Sequence, residues 1–173
     1  MDDPVLIRLL DEARLAQAHR DEERRRLLAG VAAESATFVG TLVDLAEGRA
    51  HVSLRTRGGR VHAGVIELVA GDFVVVEGGA GQLWCRFSAI AGIRVGAGSA
   101  PASGARSGLD LLLVDALALL VEDRPRIALE LQSGESLAGE LAGVGVDVLT
   151  LHLDGGVALY VSSESLDGIL RSG

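Results

Sequence analysis

The chain has 173 residues, one cysteine and a net charge of −8, with 49% hydrophobic but only 3% aromatic residues. That length holds one ordinary domain or two small ones with aliphatic cores, and a lone cysteine excludes an internal disulfide and fits a reducing cytoplasm. The longest apolar stretch, LLLVDALALLV at 111–121, is too short for a bilayer and is broken by Asp115; the opening MDDPVLIRLLDEAR has acids where a secretory leader needs cations, so no membrane partner is expected.

The charge is unevenly placed. Residues 48–95 hold six Arg against three acids, whereas 126–173 hold two against seven. Bulk charge argues against nucleic acid, and the basic block leaves it open.

Along the chain, Asp3-Pro4 begins a helix with an N-cap acid and a proline at its first position. HRDEERRR from His19 reads as a self-paired, solvated helix face. Leu28, Val31, Ser35, Phe38, Leu42 and Leu45 then recur at spacings of three and four, a helical seam ended by Gly48. This seam either packs on the strands that follow or mediates oligomerisation.

HVSLRT alternates as a half-buried strand does, and Gly58-Gly59 reads as a two-residue hairpin turn. RVHAGVIELV returns, with Gly64 marking a bend, and DFVVVE, QLWCRF and AGIRV supply three more short strands. Residues 96–108, GAGSAPASGARSG, form a flexible linker by composition. LDLLLVDALALLVED is a helix apolar almost all round, expected between layers or in an interface.

A second copy of this pattern follows. Residues 52–76 align without a gap on 127–151, so that Gly59 meets Gly134, Gly64 meets Gly139 and Asp72 meets Asp147. With one residue inserted, Ile90, Gly92 and Ile93 meet Leu166, Gly168 and Ile169; upstream, LAEGR (45–49) meets LVEDR (120–124).

A helix, five short strands, glycines five apart at Gly59 and Gly64, an aspartate before the next apolar strand and QLWCRFSAIAGI at 82–93 together resemble the Sm-like (Hfq-like) family. The similarity covers residues 38–95 and, more faintly, 113–170. It implies a mixed α+β, mainly β fold: two tandem five-stranded Sm-like, SH3-like barrels, each preceded by a helix, plus an N-terminal helical extension. The expected division is 1–35 extension, 36–95 first barrel, 96–108 linker and 109–173 helix with second barrel. The resemblance further implies barrels that join edge to edge into a ring and bind RNA at the pore. The family's binding residues do not carry over. Its base-contacting asparagine falls near Val74 and Leu149, and of its aromatic-basic-His triplet only the basic position survives, as Arg86 before Phe87 and Ser88.

The hairpin RTRGGRVHAG (55–64) carries the chemistry. A turn at Gly58-Gly59 would pair Arg57 with Arg60 and Arg55 with His62, placing all four on one face. Arginine forks suit phosphate or carboxylate. The second unit holds Glu130, Gln132, Glu135 and Leu137 at these positions.

Three readings stay open. The cationic face, with Arg86, holds RNA; or the opposite faces complement each other, within a chain or between chains, and specify assembly; or both are solvated loops. Glu130, Gln132 and Glu135, with Leu28, Val31, Phe38, Leu42 and Leu45 of the seam, are the assembly candidates. Trp84 reads as core and Cys85 as a small buried hydrophobe.

Catalysis has least support. The histidines at 19, 51, 62 and 152 have no ligand spacing, VSSES lacks a nucleophile elbow, and GGAGQ lacks the Lys-Ser/Thr of a phosphate loop. The expectation is a cytoplasmic, non-catalytic binding and assembly protein without metal or cofactor. RNA is the expected ligand, beside a homo-oligomer or another protein as partner; the alternative is a protein-interaction or oligomeric scaffold with no nucleic-acid role.

Overall fold

The computed structural model describes residues 14–15, 17–24, 26–27, 36–96 and 109–171. Residues 17–24 are helical, as expected of the extension; Leu28, Val31 and nearly all of the linker lie outside the described residues.

The first half has helix α1 (Phe38–Glu47) and strands β1 (His51–Thr56), β2 (Val61–Val69), β3 (Phe73–Gly78), β4 (Gly81–Arg86) and β5 (Ile90–Val95). The second half has α2 (Leu113–Leu120), β6 (Arg126–Leu131), β7 (Ser136–Val144), β8 (Val148–His152), β9 (Ala158–Ser162) and β10 (Leu166–Arg171). The Thr37 hydroxyl caps α1 by accepting from the Gly40 amide at 3.0 Å. The left-handed residue after that helix is Arg49 (φ 46°), whereas Gly48 stays right-handed at φ −73°. Arg124 (φ 45°) takes the same conformation 75 residues later. The repeat therefore extends to backbone geometry that L side chains rarely adopt.

All ten strands form one antiparallel sheet in the order β5-β1-β2-β3-β4-β10-β6-β7-β8-β9. Each half keeps the same internal order. Its long second strand shifts register at matching points, between Ile66 and Leu68 and between Leu141 and Gly143.

The expected pair of closed barrels is not what forms. Neither half closes on itself: β4 gives its outer edge to β10, with Trp84 opposite Ile169 and Leu83 opposite Leu170. Unpaired strand edges are costly, and here each half satisfies one edge of the other, leaving β5 and β9 as the free edges of an open sheet.

β3 shows why the halves cohere. The sequence FVVV lacks polar alternation because both faces are covered. Val74 and Val76 join Leu42, Leu45, Val52, Leu54, Ile66 and Leu83 in the first core. Phe73 and Val75 join Leu113 and Leu117 of α2, with Leu129, Leu141 and Leu151, in the second. The nearly all-apolar α2 thus lies over the joint. Each of its fully buried leucines contributes roughly 2 kcal/mol. In the seam, Leu42 and Leu45 are buried in the first core, while Phe38 stays 46% exposed.

Candidate functional site

The hairpin between β1 and β2 differs from the expected one by a single residue. Leu54 lies opposite His62 and Arg55 opposite Val61, around a three-residue turn, Arg57-Gly58-Gly59, in which Gly59 alone has positive φ (87°). A left-handed glycine closing a three-residue loop is a favoured hairpin geometry. The one-residue slip sends side chains to opposite faces. Arg55 and Val61 point to one side; His62 shares the other with Leu54. Arg55, Arg57, Arg60 and His62 therefore do not form a single face. Arg86, at the end of β4, is half-buried with an unpartnered Nε, and no described hydrogen bond or ion pair ties it to them.

What the hairpin does form is a polar joint with the second half. Glu130, on β6, is 3% exposed. Its carboxylate meets the His62 Nε2 at 2.9 Å and the Arg60 Nη1 at 3.9 Å. Arg60 also donates to the Gly134 carbonyl at 2.7 Å. The Gly58 amide donates to Asp167 Oδ2 at 2.9 Å, and Asp167 is itself buried, with Oδ1 unpartnered.

Gly58 serves close approach rather than turn geometry. A Cβ there would lie 2.8 Å from Asp167 Oδ2. The charge opposition visible in sequence is thus used inside the chain: Arg60, His62 and the Gly58 amide of the first hairpin meet the buried acids Glu130 and Asp167 of the second half. A buried carboxylate left without such partners would be costly.

The joint has further parts. Burial, then the nearby charges of Asp167 and Glu130, push the Cys85 thiol up to about 12, so it stays protonated and inert. Trp84 stacks on Phe73 at 5.7 Å between ring centres. At the other end, the turn between β2 and β3 holds the start of α2. The Gly71 amide donates to the Leu111 carbonyl at 2.8 Å, and the Leu113 amide to Asp72 Oδ1 at 2.7 Å.

The remaining candidates lie apart. Arg55 and Arg57 are exposed. Gln132 donates from its side chain to the Glu164 carbonyl at 2.7 Å, and the Glu135 side chain is exposed. Arg55 borders a groove of about 210 Å³ with Ser53, Val61, Gly92, Ile93 and Arg94. Asp167, which sequence reading passed over, is a central member of the joint. Its signal was an acid between Leu166 and Gly168 in a mostly apolar strand. Among the described residues no helix is long and apolar enough to cross a membrane, and no group of His, Cys, Asp and Glu is placed to hold a metal ion. No protein-family model matches the chain, and no curated protein matches it.

Proposed function

We propose that this is a non-catalytic binding and assembly protein that works through the edges of its sheet and engages protein chains rather than RNA. The observation that carries this reading is the engagement of Arg60 and His62 by the buried Glu130. Two of the hairpin side chains that a phosphate backbone would need hold one sheet segment to another, and Arg55 faces elsewhere. Steep, salt-sensitive polyanion binding depends on several phosphate contacts acting together. β5 and β9 keep unpaired backbone groups, which are templates for an added strand.

Kinship with the Sm-like family belongs to the same proposal, supported by the repeated unit of a helix with five short strands and its edge-to-edge joint. A cytoplasmic setting suits the buried free thiol.

Sedimentation of the fluorescently tagged full chain in extract of its own cells, before and after nuclease, tests the reading. A species heavier than one chain that survives nuclease is expected. Single-chain mass, or a complex that nuclease dissolves, would overturn it in favour of no assembly or of RNA.

A further inference from the structure

We infer that the groove on the outer face of β1, β2 and β5 is a binding site for a small phosphate monoester, a ligand role that sheet-edge assembly does not use. The sheet register builds it. Ser53 and Arg55 alternate with Leu54 along β1, so they share the face opposite the first core, in which Leu54 is fully buried. On one side, β5 sets Arg94 opposite Ser53 and Gly92 opposite Arg55. On the other, β2 sets Val61 opposite Arg55. Arg55 and Arg94 are therefore diagonal neighbours on adjacent strands. That offset is roughly 7–8 Å, within reach of two long side chains converging on one ligand.

Space and charge both await an occupant. A Cβ built at Gly92 meets nothing within 4 Å, so the floor between the two arginines is open. The groove holds about 210 Å³. Pockets that enclose drug-sized ligands run to roughly 300–1,000 Å³, so this one suits a single anionic head and a short body. Among the described residues, no ion pair or hydrogen bond engages the side chain of Ser53, Arg55 or Arg94. Like charges this close repel, and an anion between them removes the penalty. The second half shows the equivalent patch satisfied. Glu130 and Asp167 stand there in place of Arg55 and Ala91, and they receive Arg60, His62 and the Gly58 amide. In the first half the sign is inverted, and none of the described acids comes to meet it.

The donors select the ligand. Two guanidinium forks and the Ser53 hydroxyl match the three free oxygens and the charge of about −1.5 to −2 on a phosphate monoester. A carboxylate carries a single charge and is satisfied by one fork, which leaves the second arginine over. A phosphodiester chain also carries one charge per phosphate and needs a row of cations. Such a row is interrupted here, because Arg60 and His62 of the neighbouring hairpin are held by Glu130. Val61 and Ile93 add an apolar wall for the carbon body of the ester.

Calorimetric titration of the purified full chain with phenyl phosphate at low salt tests the site, with backbone amide chemical shifts followed in parallel. One-site saturable binding is expected, with the largest shifts at Ser53, Gly92 and Arg94. Arg55→Ala and Arg94→Ala should each weaken binding at least about tenfold, and benzoate should bind the native chain at least about tenfold more weakly than the ester. Gly92→Val, which puts a side chain into the open floor, should abolish binding. Arg126→Ala, which removes an exposed arginine paired with Asp154 in the second half, should leave affinity unchanged. Circular dichroism melting confirms that each variant is folded. No saturation by about 10 mM ester, or an affinity that ignores all three groove substitutions, overturns the site. Equal affinity for benzoate overturns the phosphate ligand, and tighter binding of a single-stranded oligonucleotide through the same arginines overturns it in favour of nucleic acid. Edge assembly is read separately, by sedimentation in extract, and stands or falls apart from these titrations.

Discussion

Glu130 is expected to be the most costly single polar side chain to remove from the joint. Its side chain is 4% exposed, that of His62 17% and that of Arg60 34%. Breaking a fully buried pair costs about 3–5 kcal/mol. Here Arg60 lies 3.9 Å away, is one-third exposed and keeps its bond to the Gly134 carbonyl, so its share is small after solvent screening. The 2.9 Å contact with His62 and the lost packing remain. Glu130→Ala should therefore destabilise the chain by about 2–3 kcal/mol, a fall of roughly 6–10 °C in Tm at this length. Thermal and urea unfolding of Glu130→Ala, His62→Ala and the double variant measure both the loss and the coupling, expected at about 1–2 kcal/mol. A single-variant loss under about 0.5 kcal/mol, or strictly additive losses, would show that the hairpin contact does not hold the halves together.

Asp72→Ala should cost about 1 kcal/mol by uncapping α2, whereas Asp147→Ala, exposed in the single chain, should leave its unfolding midpoint unchanged; equal losses would refute the asymmetry. A Cβ built at Gly64 collides with the Glu77 carbonyl, while one at Gly59 meets nothing and suffers only from its positive φ. Gly64→Ala should thus impair folding outright and Gly59→Ala cost about 1 kcal/mol, as soluble yield and urea midpoints will show. The Cys85 thiol, raised in the folded chain to about 12, should react with thiol reagents only as fast as the chain unfolds. Its contribution is fully present below the unfolded thiol's 9.0 and is lost as pH rises toward about 12, so Cys85→Ala should soften the alkaline decline in Tm; an identical decline would refute the assignment.

Much of the local structure was legible in sequence because it depends on near neighbours. Alternation in HVSLRT and IALEL marks half-buried strands, the glycines at Gly59 and Gly134 mark hairpins, and gap-free alignment of the two units marks the repeat. The aliphatic run at 73–76 marked a strand, and the seam through Leu42 and Leu45 marked a helix; that both faces of the strand are covered and that those two leucines enter the first core came from the fold.

The rest was decided by contacts between residues far apart in the chain. Whether a five-stranded unit closes or stays open turns on which edge β4 meets, and β10, more than eighty residues on by the numbering, meets it. Hairpin register turned on one residue. Two- and three-residue loops share the same glycines, yet their side-chain faces are opposite, and so Arg55 parted from His62. The pairing of His62 with Glu130 spans 68 positions and depends on both registers at once. Charge opposition between the repeats was visible in the sequence; that it joins them needed the tertiary structure, because a local pattern carries the sign of a charge but not the distance to its partner.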